Sequence, residues 1–381
     1  MHLYKLLLAI LIHYQFYYYK MKNVRISQQQ IAKDLGVSQT LVSMVLNGRK
    51  KGVSEKSYNK ILDHARRSGY RPKGIATELM SGRAMTKSVG FVLRSGATLY
   101  SQSPFFGHVQ HGLHDYLSEK GGSLVYMGIE NDLDVERLEN LRNPDDFLGL
   151  VILGEVSRNF LQAILKLHSR IITISCHYPG LCNSVLPNEE QAADLLVQHL
   201  MDHGHTRFAW VGGNRGTQRA TSRLNAIQSA LHLRGAAIDP KFCIEAPTGD
   251  RREGGHVAQS LIDASEKDQL PTAWICFNGV MARGVVGHLA LKGLKVPDDI
   301  SVAAFDGTRV CEEEHPTLTA ASTPPELMGR VAAELLMQMK DSEQNRFVDS
   351  VLAAELREGE STGPVHRSNT KRKDSSVAAP Q

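Results

Sequence analysis

With 381 residues, 42% of them apolar, the chain can bury substantial cores and has room for two or three domains, which excludes a disordered polypeptide. Its net charge of +4 hides a segregation: residues 21–87 hold 14 Lys and Arg against 4 Asp and Glu, a net of +10, residues 1–20 add two lysines, and the remainder sums to about −8. A basic head on an acidic body suits a polyanionic partner, because phosphate-facing charge is gathered at one end while the body repels a duplex.

Residues 1–20 carry an apolar run, Leu6 to Ile12, and an aromatic patch, Phe16 to Tyr19. The run is short for a membrane span and no small-residue cleavage motif follows. The segment therefore reads as an upstream extension of the reading frame, with Met21 the working start, or as a disordered arm.

Residues 25–70 read as three short helices. Ser27 caps the first, with Gln30 at the capping-box position and Ile31 and Leu35 on one face. Gly36-Val37-Ser38 is a tight turn, in which Gly36 takes a positive φ and Ser38 caps the second helix, about Gln39 to Leu46. Leu41 or Val42 and Val45 turn inward, leaving Gln39, Thr40 and Ser43 outward. Ser54 caps a third helix with the stripe Tyr58, Ile61, Leu62 and Ala65, ended by Gly69 and Pro72. A helix-turn-helix needs short polar side chains at the start of its second helix to reach base edges. Gln39, Thr40 and Ser43 are the candidate base readers. Ser27, Ser38, Asn47, Arg49, Lys50 and Lys51 are candidate phosphate contacts, which position rather than specify.

After residues 72–87 the texture changes. The runs 88–93, 123–127, 148–153, 171–175, 208–211, 272–277 and 300–305 are near-continuous apolar strands separated by helical patterns. Such alternation implies parallel sheets covered on both faces, and the number of strands favours two α/β lobes with a cleft between them. Residues 359–381, rich in Ser, Thr, Lys, Arg and Pro, read as a disordered tail.

The five cysteines, Cys176, Cys182, Cys243, Cys276 and Cys311, form no CxxC pair and no metal-ligand cluster, so reduced thiols in the cytoplasm are expected, without metal or cofactor. No GxSxG, HExxH or P-loop occurs, and Gly212 to Gly216 lacks the P-loop lysine and serine. Among 16 histidines, His111, His114, His203 and His205 have no carboxylate at a defining spacing and read as surface or helix-end residues. An enzyme is accordingly disfavoured.

Arg25-Ile26-Ser27 and the run from Ile31 to Pro72 resemble the head of the LacI/GalR family of bacterial transcriptional regulators, and the resemblance extends to about residue 356. It implies an all-α helix-turn-helix head (residues 21–71), a hinge helix and linker (72–87), and a periplasmic-binding-protein-like body of two parallel-sheet lobes that binds effector and dimerises (88–358). By register from Pro72, Ala76 falls on the small residue that lets paired hinges pack, and Leu79 on the leucine that wedges into the minor groove. Lys73 stands where the family usually has Asn.

In the body, Ser103-Pro104-Phe105-Phe106, Arg223, Asn278, Asp306 and Thr323 fall on family cleft positions, making Ser103, Phe105, Phe106, Arg223, Asn278, Asp306 and Thr323 the candidate effector residues. Departures concentrate there: Gly279 follows Asn278 in place of aspartate, the strand-end aspartate is replaced around Ser175 to His177, and Arg251 and Arg252 replace an aromatic platform. The expectation is a homodimeric regulator, a repressor of the commoner kind, bound to a palindromic double-stranded DNA operator. A sugar or acidic-sugar effector would modulate it without membrane contact. Its rivals are a constitutive regulator with a decayed cleft, an exported solute-binding protein and an enzyme.

Overall fold

The computed structural model describes residues 27–46, 53–67, 88–94, 104–133, 138, 147–264, 266, 269–339 and 346–365. The expectations for residues 1–20, for the hinge with Lys73, Ala76 and Leu79, for Asn47, Arg49, Lys50, Lys51 and Ser103, and for the tail beyond residue 365 lie outside these. The chain divides into two compact units, 1–85 and 86–381.

In the first, α1 (Gln28–Leu35), α2 (Gln39–Leu46) and α3 (Glu55–Arg67) surround one small core. Ile31, Val42, Val45, Ile61 and Ala65 are essentially inaccessible there, and Leu35, Leu41, Tyr58 and Leu62 pack around them. Of the two candidates for the inward position, Val42 is fully buried and Leu41 half-buried. Ser27, Ser38 and Ser54 each accept a backbone N–H three residues on, which satisfies otherwise orphaned donors at each helix start. Gly36 closes α1 at φ 65°, where a side chain would be strained. Only half of the expected capping box forms: Gln30 turns its amide forward and donates from Nε2 to Asp34 Oδ1, instead of its side-chain oxygen accepting from the Ser27 N–H.

The second unit holds two six-stranded sheets. Lobe 1 has the order β11-β5-β4-β3-β1-β2, where β1 is Ser88–Leu93, β2 Ser123–Ile129, β3 Phe147–Leu153, β4 Ile171–Ile174, β5 Asn183–Pro187 and β11 Asp349–Leu352. Every neighbouring pair is parallel. Helices α4 (Phe105–Glu119) and α10 (Pro325–Gln338) cover one face of this sheet, and α5 (Arg158–Leu165) lies in the separate core on the other.

Lobe 2 has the order β12-β10-β9-β8-β6-β7: β6 Phe208–Gly212, β7 Cys243–Glu245, β8 Ala273–Cys276, β9 Ser301–Phe305, β10 Thr319–Ser322 and β12 Glu355–Arg357. Only the β10–β12 pair is antiparallel. Its core includes Trp210, Trp274, Phe277 and Phe305, under α6 (Glu189–Asp202), α7 (Gln218–His232), α8 (Arg251–Asp263) and α9 (Gly279–Leu291).

The chain passes between lobes three times, after β5, after β10 and between β11 and β12. These crossings are tied together: Asn188 N–H donates to Leu352 O at 3.0 Å and to Thr323 Oγ1 at 3.3 Å, and the Thr323 hydroxyl donates to Leu352 O at 2.8 Å.

The structure departs from the sequence expectations at two places. The ordered chain does not stop at residue 358. Ser361 is fully buried, its hydroxyl donates to Val302 O and its N–H to Thr317 O, and Val365 N–H reaches His203 O, so residues 359–365 belong to lobe 2. Their polar composition misled because the side chains are hydrogen-bonded rather than solvated.

His205 is not a surface residue either. It is 2% exposed, with Nδ1 at 2.9 Å from Thr272 Oγ1 and Nε2 at 2.9 Å from Ser301 Oγ and 3.1 Å from Gly363 O. Burial, which outweighs the opposing bond to Gly363, lowers its pKa to about 4. The unfolded chain takes up this proton as pH falls through about 6.5, and the folded chain only near 4. Stability is therefore expected to fall from about pH 6.5 to about pH 4, by at most about 3 kcal/mol from this ring. Urea midpoints measured across that window should fall less steeply in His205→Gln than in the wild type; parallel curves would exclude His205 as the source.

Candidate functional site

In the first unit, Gln39 and Thr40 are exposed on the first turn of α2 and Ser43 is half-buried one turn on, opposite the buried Val42 and Val45. The hydroxyls of Ser27 and Ser38 accept cap bonds at 3.1 and 3.2 Å, which leaves each its own proton to donate outward. The α1–α3 packing is fastened by Asp34, whose carboxylate accepts from Gln30 Nε2 at 2.7 Å and meets His64 Nε2 at 3.2 Å. Those two hydrogen bonds, the Gln30 one first, hold its pKa below the usual range.

In the second unit, the C-terminal ends of the lobe 2 strands and the first turns of α6 and α7 converge on a buried charge cluster. Asn188 caps α6 and places Glu189 at its first position; Thr217 caps α7 and places Arg219 and Arg223 one turn apart. Asp306, directly after β9, takes φ 60°, a conformation that Asp tolerates better than most residues.

Arg223 donates from Nε to both Glu189 oxygens at 3.0 Å and from its two terminal nitrogens to Asp306 at 2.6 and 3.2 Å and to Phe277 O. Arg219 donates to Glu189 at 3.1 Å and to Asp306 at 2.7 Å. Two guanidinium groups and two carboxylates thus sum to zero charge in a buried setting. Burial works against the charge on Arg223, but Asp306 and Glu189 outweigh it and hold the group protonated well above its ordinary range. Burial also opposes ionisation of Asp306, and the two arginines together overcome it, holding the pKa below normal.

The cluster is also where the lobes meet. The Arg219 guanidinium lies 4.0 Å from the centre of the Phe105 ring of lobe 1. Gln218 N–H donates to Glu155 Oε2 at 2.8 Å, and His177 N–H donates to Gln218 Oε1 at 3.0 Å. The start of α7 is therefore docked onto the ends of β3 and β4. Beside this contact, Ser175 sits at φ 62°, and its buried hydroxyl has no partner among the described residues.

Of the candidate residues, the structure brings Arg223, Asp306 and Phe105 together. Phe106 lies against Gly154, at the end of β3. Asn278 caps α9, accepting Met281 N–H at 2.8 Å and donating to Gly249 O at 2.9 Å. Thr323 is placed in the crossover tie, with its hydroxyl both donating and accepting. Arg251 opens α8 and pairs with Glu314 instead of lining a loop. Sequence reasoning missed Glu189, Arg219, Gln218 and Glu155. Among the described residues, no group of three His, Cys, Asp or Glu side chains is arranged to hold a metal, and no helix is long and apolar enough to cross a membrane.

Residues 197–362 match the periplasmic binding protein-like domain family. The HTH-type transcriptional repressor PurR of Photobacterium profundum is 27% identical over 332 residues, covering 84% of this chain and 94% of that protein. The PurR of Vibrio cholerae is 26% identical, covering 84% and 93%. Among solved structures, the transcriptional regulator CelR–cellobiose complex superposes with a TM-score of 0.64 at 23% identity, covering 88% of this chain and all of that one. The lac repressor dimer bound to operator and the anti-inducer ONPF gives 0.62 at 21%, covering 89% and 99%.

Proposed function

Because the chain belongs to the LacI/GalR family of bacterial transcriptional regulators, whose curated relatives here are repressors rather than enzymes, we propose that it represses transcription by binding a palindromic DNA operator as a homodimer in the cytoplasm. The observation that carries the DNA-binding half is α2, with Gln39 and Thr40 exposed on its first turn over a packed core and Ser43 beside them. Inserted in a major groove, this turn presents an amide and hydroxyls to base edges. Ser27, Ser38, Asn47, Arg49, Lys50 and Lys51 hold the phosphates, and paired hinges with Lys73, Ala76 and Leu79 open the minor groove between half-sites.

Selection of random duplexes by the full-length protein tests this, with enrichment of an inverted repeat expected. Gln39→Ala should relax preference at one position in each half-site and weaken the selected duplex by about 1–3 kcal/mol per half-site, with little change on random DNA. Failure to enrich any sequence, or equal losses on both duplexes, would count against the reading.

The cleft around Phe105, Phe106, Arg223 and Asp306 is the proposed regulatory site, with a carbohydrate-like molecule as the effector suggested by the resemblance. One observation favours a second reading, in which operator binding does not wait for an effector. The polar groups of Arg223, Asn278, Asp306 and Thr323 are already hydrogen-bonded within the chain. A neutral sugar must break charge-assisted bonds to enter, and its hydroxyls replace them only with weaker ones. Operator affinity unchanged by any of a panel of neutral sugars and sugar acids is the result expected on the second reading.

A further inference from the structure

Arg219 has an unusual position in the cleft. It leaves the first turn of α7 in lobe 2, lays its guanidinium on the face of Phe105 in lobe 1, and donates to two carboxylates, Glu189 and Asp306, that Arg223 already binds. Without Arg219, the remaining Glu189, Arg223 and Asp306 carry one net negative charge beneath an aromatic face. An aromatic face beside a pair of carboxylates is a receptor for a planar cation, which stacks on the ring while its N–H groups fork to the oxygens. The neighbouring Gln218 makes two further contacts with lobe 1, through Glu155 and His177, so the seat lies where the lobes touch and its occupant adds the stacking contact with Phe105 to them.

We propose that Arg219 is a built-in occupant of the cleft: its guanidinium takes, from within the chain, the seat of a small ligand between Phe105 and the Glu189 and Asp306 carboxylates, and so keeps the lobes closed without a free molecule. The proposal deepens the reading of this cleft as the regulatory site and rests on it. It also defines the class of molecule able to compete there, a small planar cation of guanidino or amidino type. The departures from the family pattern then have a physical reading: the cleft is filled by a side chain rather than eroded.

The test compares full-length wild-type and Arg219→Ala proteins, with methylguanidinium chloride as probe and an equal concentration of sodium chloride as control. Removing one cation from a buried four-charge cluster should lower the melting temperature by roughly 5 °C or more. Millimolar methylguanidinium should restore part of that loss in the variant and leave the wild type unchanged. Small-angle scattering should give a larger radius of gyration for the variant, contracting with methylguanidinium but not with sodium.

A variant with wild-type melting temperature and radius, or one stabilised equally by both salts, overturns the proposal. Should Arg219→Ala not fold, Arg219→Lys keeps the charge and removes the planar fork. It is expected to melt lower and scatter as a larger particle, and indistinguishable behaviour in both measurements overturns the proposal as well. No DNA enters these readouts. Lost operator selection with intact rescue therefore counts against the repressor reading alone, and intact selection with no rescue counts against the occupant alone.

Discussion

Replacing Arg223 by Met is expected to cost about 3–5 kcal/mol of stability, because it breaks one side of a buried charge cluster and leaves the other in place. Arg223 is 1% exposed, and its guanidinium bonds Glu189, Asp306 and the carbonyl of Phe277 while lying 4.9 and 4.7 Å from the ring centres of Phe277 and Phe305. Methionine fills much of the volume, so the loss comes chiefly from two carboxylates left with one arginine, and not from a cavity. The double variant Arg223→Met, Asp306→Asn removes a charge of each sign and should recover part of the loss, a coupling that a double-mutant cycle in urea reads directly. A single-variant loss below about 1 kcal/mol would mean that water already shares these charges. The pH dependence has a fixed sign. Since the folded pKa of Asp306 is depressed, its contribution is complete above the ordinary carboxylate range of about 4 and is lost as pH falls through the lower folded value.

The legible parts of the chain were those whose environment leaves a mark on residue type. β1, β3, β6, β8 and β9 are central strands buried on both faces, and each stands out as an apolar run. β5 does not, because Asn183 and Ser184 are satisfied by β11 and the residue before it: Asn183 Oδ1 accepts Val348 N–H, and Ser184 donates to Asp349. At three residues each, the edge strands β7 and β12 are too short to show a period. In the cleft, Arg223 and Asp306 were legible through resemblance, whereas Glu189 and Arg219 were not. A signal was present nonetheless. Two arginines four apart at the start of a helix repel each other and oppose the helix dipole, so the pattern Arg219-x-x-x-Arg223 called for carboxylates from elsewhere in the fold. Which carboxylates could not be read, since Glu189 arrives from the lobe crossing and Asp306 from the end of a strand far along the chain.

Gly112→Ala should destabilise the protein by about 2–3 kcal/mol, against the usual gain when a helical glycine becomes alanine. A Cβ at Gly112 in α4 would lie 1.9 Å from the carbonyl oxygen of Glu326 in α10, and one at Gly329 in α10 would lie 2.0 Å from that of Val109. The two helices cross backbone to backbone. Lobe 2 repeats the device: a Cβ added at Gly284 of α9 would lie 1.9 Å from Arg251 O, and one at Gly254 of α8 would lie 2.2 Å from Met281 O. Since the obstructing atoms are main-chain oxygens, no rotamer change relieves the overlap and the helices must separate. The same helices supply the controls. A Cβ added at Gly107 in α4 or at Gly287 in α9 would meet nothing within 4 Å, so Gly107→Ala and Gly287→Ala should raise stability by up to about 1 kcal/mol. Opposite signs for Gly112 and Gly107 on one helix cannot come from helix propensity and isolate the contact with α10. The consequence reaches the cleft, because Phe105 is the first residue of α4 and its ring carries Arg219. Forcing α4 away from α10 should therefore loosen the lobe contact too, and Gly112→Ala, unlike Gly107→Ala, is expected to increase the radius of gyration as well as lower the urea midpoint.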